Sequence, residues 1–254
     1  MKKQLINKFR SKLKNGKYTI GGWMQICDSN IAEIMADCDY EWITFDLEHG
    51  SFSTKELTNL VRSVELKQKI KLARLPNKNL EICAQVLDAG CDGIIVPNVK
   101  SRNELIKIKN LSYFPPEGKR GVGFSRSNLF GKNFKKNMNS KIKPILIAMI
   151  ESKDGIKNLS HILTVKGLDA ILIGPYDLSS SLGVTGKFQH SKFKSALNHI
   201  KKLSKKNKIP LGIHVLKNSL SEVKKYISKG FKFIPFGTDA ILLTNAIENS
   251  FRKK

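Results

Sequence analysis

Eight continuous apolar runs alternate with amphipathic stretches along the chain. In order the runs are "YTIGGWMQ" (18–25), "EWITFDL" (41–47), "KIKLARL" (69–75), "GIIVPNV" (93–99), "KPILIAMI" (143–150), "DAILIGPY" (169–176), "PLGIHV" (210–215) and "FKFIPFG" (231–237). Between them lie segments of helical pattern such as "STKELTNLVRSVELK", "LEICAQVLDAG" and "SLSEVKKYISKG", several of which end on Gly, a common helix stop. Strands without polar alternation, separated by helices, predict a parallel sheet covered on both faces. Eight of them predict a closed (β/α)8 barrel of the TIM type. A short helix precedes the first strand, in the basic stretch "MKKQLINKFRSKLKNGKY". An open doubly wound sheet is the alternative, but no G-x-G-x-x-G follows the first strand.

The length, 254 residues, suits one such barrel, and no domain boundary interrupts it, so residues 1–254 read as a single domain. The long irregular stretch is 112–140, with "YFPPEGKRGVGFSRSNLFGKN". Its prolines and glycines forbid a continuous helix at its start, and a loop of that length in a barrel points to function.

A hydrophobic fraction of 41% is enough for a sizeable core, and no apolar run approaches the roughly 20 residues of a membrane helix. The N-terminal stretch lacks the apolar segment and cleavage site of a secretory leader, so a cytoplasmic protein is expected. Cys27, Cys38, Cys83 and Cys91 form no C-x-x-C pair and read as small buried residues. The net charge of +24 raises the question of a nucleic-acid partner. The lysines, however, are spread along the whole chain, and runs such as "KNFKKNMNSKIK" read as solvated faces. The charge is therefore background composition that also draws acidic substrates towards a cleft.

In a barrel the reactive groups come from the C-terminal ends of the strands. Run two ends in "FDLEHG", with Asp46, Glu48 and His49; run three ends in Arg74; run five leads to Glu151; run six carries "GPYD", with Asp177; and run seven holds His214. Charges at strand exits contribute little to stability, so their gathering on one rim marks a site. Glu151 and Asp177 leave neighbouring strands and suit a hard divalent cation, unless they merely cap the helices that follow. Asp46 with His49 suits acid–base work, and Arg74 suits an oxyanion. Glu48 stands behind them, and His214, inside an apolar run, reads as the weaker histidine.

"FDLEHG", "LARLP", "LDAGCDGIIVPNV", "YFPPEGKRGVGFSR", "MIES" and "ILIGPYDLSSSLG" together resemble, in the same order, the HpcH/HpaI aldolase family, over about residues 20–240. The resemblance implies a metal-dependent aldolase acting on 2-oxo acids, with Glu151 and Asp177 on the divalent metal (Mg2+, Mn2+ or Co2+). It gives Asp46 and His49 the acid–base role and Arg74 the pyruvate enolate. Asp88 of "LDAG" then acts near the site through contacts between subunits, in a homo-oligomer (a trimer or hexamer). Gly174 and Pro175, with the backbone that follows, cradle the pyruvate carboxylate. The chain departs from the family pattern at Met149, where a Gln is common, and at Tyr176, where a small residue narrows the pocket less. Arg120 and Arg126 in the long loop are expected to read the acceptor aldehyde, their glycine neighbours letting the backbone approach.

Three rivals remain open. A Schiff-base aldolase needs a desolvated lysine, and Lys217 is the candidate past strand seven. A citrate-lyase-like enzyme acting on an acyl-CoA thioester lies within the same resemblance. A basic nucleic-acid-binding protein is the reading from another class.

Overall fold

The computed structural model describes residues 2–77, 80–138, 142–217 and 219–251. Each apolar run becomes a strand: β1 (Thr19–Met24), β2 (Trp42–Asp46), β3 (Ile70–Arg74), β4 (Gly93–Val96), β5 (Ile145–Ile150), β6 (Ala170–Ile173), β7 (Leu211–Ile213) and β8 (Phe233–Pro235). All pairings are parallel, and the strands close a barrel in chain order, β8 returning to β1. The expected (β/α)8 architecture is the observed one. β6 stops earlier than its apolar run because Pro175, with no N–H to give the ladder, opens the next helix.

The strands carry two cores because successive side chains point to opposite faces. Ile43, Phe45, Ala73, Ile94, Val96, Ala148, Ile171 and Ile213 pack outward against the helices. Trp23, Trp42, Leu72, Ile95, Ile147, Met149, Leu172 and Phe233 fill the barrel. Trp42 stacks on Phe233 at 4.3 Å between ring centroids, and the space it needs is left by Gly21, where a Cβ would lie 2.0 Å from its ring. Counting on by twos from this inner set reaches Asp46, Arg74, Glu151 and Gly174, and the outward Ile213 and Val215 leave His214 between them facing in, all at the strand-exit end. Alternation alone thus aims these five positions into the barrel mouth.

The opposite end is covered by the predicted N-terminal helix, Lys2–Lys14, whose Ile6, Phe9 and Leu13 join the inner core. Lys2–Asp92 (2.9 Å), Arg10–Asp169 (2.7 Å) and Lys12–Glu41 (2.6 Å) tie it to residues just before β4, β6 and β2. The helix Thr54–Glu65 starts in a capping box of Ser53 and Glu56. The helix Cys83–Ala89 ends at Gly90, whose φ of 116° is open to glycine.

The long stretch 112–140 is irregular, as expected, apart from a single 3-10 turn, Arg126–Asn128, and the short helix Phe134–Met138; residues 139 and 140 lie outside the described residues. Among the described residues no helix is long and apolar enough to cross a membrane, and the four cysteines are free.

Candidate active site

Asp46 closes β2 with its side chain fully buried. A tight turn follows, in which Gly50 N–H returns to Asp46 O at 2.9 Å. That turn brings the backbone N–H groups of Glu48 and His49 onto Asp46 Oδ1, at 3.1 and 3.2 Å. Arg74, its register partner on β3, donates Nε to Oδ1 at 2.8 Å and Nη2 to Oδ2 at 2.6 Å. Trp23 Nε1 and Gln25 Nε2 complete the shell on Oδ2, at 3.0 and 2.9 Å. Burial alone would raise the Asp46 pKa; the Arg74 bonds and charge, then Gln25 and Trp23, outweigh it and hold the carboxyl far below the usual carboxylate range.

This corrects the expected Asp46–His49 side-chain pair. Asp46 reaches His49 through the backbone N–H, and among the described residues it makes no bond to the imidazole, which stands exposed at the rim. The carboxylate oxygens are already saturated by stronger donors, above all the bidentate guanidinium. Glu48 forms a second ion pair with Arg74, Nη1 to Oε2 at 2.9 Å. Its pKa is raised, first by burial, against the lowering pull of Arg74 and His49. Trp23 and Gln25 were not legible as site residues, because the exit of run one carries no charge to draw attention.

Glu151 continues the inward parity of β5 and is 6% exposed. Its Oε2 accepts the backbone N–H of Asn98 at 2.8 Å, from a left-handed residue (φ 45°) that turns the amide towards it. Its Oε1 is buried with no hydrogen-bond partner. Burial, with the charge of Asp177 adding to it against the Asn98 bond, pushes the Glu151 carboxyl up to about 7. Over Oε1 lies Gly174, where a Cβ would come within 2.4 Å. Neither acid caps a helix: Ser152 caps Lys153–Lys157, and Gly174 holds the N-cap position of Pro175–Ser181, leaving Asp177 exposed in its first turn. An orphaned, buried carboxylate oxygen under a glycine, with a second carboxylate in the first turn of the adjoining helix, fits a hard cation. No group of three or more metal-binding side chains gathers among the described residues, so water and substrate would fill the other positions.

Met149 lies in the inner core directly below this carboxylate level, 2% exposed. Tyr176, 51% exposed, lays its ring edge-on to Phe188 at 5.1 Å instead of closing the mouth. Lys217 is exposed, and the buried lysine, Lys71, is engaged with Asp92 at 2.9 Å near the strand-start end. No desolvated lysine stands at the mouth among the described residues.

The long loop departs most from expectation. Arg120, 6% exposed, donates Nη2 to Asp88 Oδ1 at 2.6 Å and lies 4.5 Å from the centroid of the Phe114 ring. Arg126 donates to Ala89 O at 3.1 Å and pairs with Glu65. Both arginines therefore pin the loop to the outer helices Thr54–Glu65 and Cys83–Ala89 and do not reach over the rim of their own barrel. The acidic residues on those helices won them, a contest between distant segments that the loop's own composition does not reveal. Asp88 sits with them on the helical layer, away from the strand exits.

The sequence pattern of the family described as HpcH/HpaI aldolase/citrate lyase matches residues 19–246. The hydroxypyruvate/pyruvate aldolase of Roseobacter denitrificans is 29% identical over 94% of this chain and 94% of its own. The 4-hydroxy-2-oxo-heptane-1,7-dioate aldolase of Escherichia coli is 29% identical over 95% of this chain and 92% of its own. A crystal structure of a family protein from Burkholderia cenocepacia J2315 superposes with a TM-score of 0.90 at 23% identity, over 97% of this chain and 98% of the other. With a barrel of that shape and a match running from β1 into the last helix, the chain belongs to the HpcH/HpaI aldolase/citrate lyase family.

Proposed function

We propose that the protein is a class II aldolase, a carbon–carbon lyase that reversibly cleaves a 4-hydroxy-2-oxo acid to pyruvate and an aldehyde. Substrates of the right chemistry are 2-keto-3-deoxy sugar acids and 4-hydroxy-2-oxo-dioates. The observation that carries this reading is the orphaned Oε1 of Glu151, buried at the same barrel mouth as the Asp46–Arg74 pair. The aldolase activities of relatives of matching length support it.

Glu151 and Asp177 would hold a divalent cation, Mg2+, Mn2+ or Co2+, which when bound supplies Lewis-acid polarisation of the keto group. The guanidinium of Arg74 is oriented by Asp46 and Glu48, and its remaining N–H groups are free to meet the oxygen on which enolate charge develops. Arg74 does so without giving up a proton, since it stays charged. His49, at the exposed end of the turn after β2, takes the proton of the 4-hydroxyl as the carbon–carbon bond breaks and returns it in the condensation direction. The backbone after Gly174 and Pro175, at Tyr176 and Asp177, offers unpaired helix-start N–H groups to the pyruvate carboxylate.

The test is pyruvate release from a panel of 4-hydroxy-2-oxo acids, with and without chelator. Pyruvate from none of them, with any of the three metals, overturns the reading; borohydride trapping of pyruvate on Lys217 replaces it with a Schiff-base route. Cleavage confined to acyl-CoA thioesters moves the protein to the citrate-lyase branch of the family. His49→Ala is expected to lower turnover by roughly 10²–10⁴-fold, the range for a positioned proton-transfer group, with a smaller change in substrate affinity. Turnover equal to the parent's makes another group the base.

The enzyme is a homo-oligomer in this reading, trimeric or hexameric. Two exposed apolar patches support it: Ile241, Leu243, Ile247 and Phe251 on the helix Asp239–Phe251, and Val122, Phe124, Leu129 and Phe130 on the long loop. Asp88, on the same outer face as that loop, then serves the mouth of a neighbouring copy. Ile247→Asp with Phe124→Asp is expected to reduce the mass measured by light scattering; a parent that is already a monomer refutes this part.

A further inference from the structure

Val215 pairs with Phe236 beyond the end of β7, and His214 N–H reaches Ile173 O at 3.2 Å, so the strand's alternation holds through His214. Leu211, Ile213 and Val215 point outward into the helical core, which turns His214 inward at the mouth. There its ring lies on Trp23, 4.7 Å between centroids at 39°. Its Nε2 lies 3.2 Å from Gly237 O, and since a carbonyl only accepts, Nε2 carries the proton. Trp23 is 1% exposed and touches both halves of the ion pair: its Nε1 donates to Asp46 Oδ2 at 3.0 Å, and Arg74 Cζ stands 5.2 Å from its ring centroid.

These contacts form a continuous line from Gly237 through His214 and Trp23 to Arg74. Resting on the aldolase reading, we propose that His214 is a positioning residue: its imidazole, fixed by Gly237 O, buttresses the Trp23 ring and thereby sets the plane of the Arg74 guanidinium. Arg74 is held edge-on by Asp46 and Glu48, but a carboxylate fork leaves a planar group free to rock out of its plane. A ring face beneath it removes that freedom, and a tilted aromatic neighbour keeps the ring itself in place. A neutral imidazole suits the task, because a cation there would repel Arg74. Burial, opposed by the Gly237 bond and reinforced by the Arg74 charge, lowers the His214 pKa to about 4, so the ring is uncharged at neutral pH. Asp46 pulls the other way and Trp23 is uncharged.

His214→Ala and His214→Phe test this, read by turnover, by exchange of the pyruvate methyl protons with solvent, and by acrylamide quenching. For quenching, Trp23 is made the sole indole in a Trp42→Phe background checked for folding by circular dichroism. His214→Ala is expected to lower kcat about 10- to 100-fold, since a positioned group displaced by about 1 Å loses rate on that scale. The loss should be equal for every acceptor aldehyde and present in proton exchange, with KM for pyruvate little changed. His214→Phe, which restores a ring against Trp23 without the Gly237 bond, should recover most of the loss. Quenching of Trp23 should rise in His214→Ala and fall back in His214→Phe. Parental kinetics in His214→Ala overturn the proposal. So does a loss that varies with the acceptor while proton exchange stays intact, which would mean that the imidazole touches the aldehyde. If the parent cleaves no 2-oxo acid, the aldolase reading fails first, and the quenching series alone still upholds or overturns the buttress.

Discussion

Glu151→Gln is expected to abolish divalent-metal-dependent turnover while the barrel remains folded. The residue sits at the mouth, its Oε1 makes no hydrogen bond that the amide would break, and glutamine keeps the acceptor for Asn98 N–H. What disappears is the negative oxygen that a hard cation needs. The parent also carries a distinctive pH signature. Its Glu151 pKa in the folded state, about 7, lies above the ordinary carboxyl value of 4.5, so the metal-free folded protein binds the extra proton between those limits. Stability of the metal-free parent is therefore expected to fall as pH rises from about 4.5 to 7, by on the order of 3 kcal/mol for a shift of that size. Adding Mg2+, Mn2+ or Co2+ should restore it, increasingly so at higher pH, as the cation takes the place of the proton. Thermal melts of parent and Glu151→Gln, with and without metal, check both points. A variant that melts with the parent's pH and metal response, or that keeps full turnover, removes Glu151 from the metal site.

Asp46→Ala is expected to damage fold and activity together. Removing this carboxylate leaves Arg74, at 6% exposure, with Glu48 as its remaining ionic partner, and strands Trp23 Nε1, Gln25 Nε2 and two turn amides. Breaking one side of a buried pair costs about 3–5 kcal/mol, which urea denaturation would register as a lower midpoint. Turnover should fall at least as far as in His49→Ala, since both Arg74 and the turn that carries His49 lose their anchor. The pH sign is opposite to that of Glu151. The Asp46 pKa is depressed by folding, so its stabilisation is complete above the usual aspartate range and is lost as pH falls from about 5 downward. An Asp46→Ala protein as acid-resistant and as urea-resistant as the parent would show that the pair contributes nothing.

The two carboxylates illustrate how burial sorts chemically similar residues. Both are almost wholly out of water, yet one is driven low and the other high. Asp46 is met by a guanidinium and four further donors, and Glu151 by a single amide with other carboxylates nearby. Direct contact with the guanidinium, more than any other donor, decides the direction where desolvation is shared.

Much of the molecule was written locally. The eight strands were legible because each is apolar along its whole length, which parallel strands buried on both faces require, and because the helices between them carry their own caps and glycine stops. The candidate metal ligands, Arg74 and the loop after β2 were legible because charge at a strand exit has no local use and a barrel collects all its exits at one end. Residues that act through distant contacts were not. Trp23 and Gln25 read as ordinary strand residues until the pairing of β1 with β2 sets them beside Asp46, 21 to 23 positions away in the chain. His214 meets Trp23 only because β8 pairs back to β1 and brings β7 near it. The partner of Asp46 proved to be Arg74 and not the neighbouring His49, and the loop arginines went to Asp88 and Glu65 instead of the mouth. A periodic pattern specifies which face a side chain takes, whereas the partner it finds there depends on which other segments the closed barrel brings within a few ångströms.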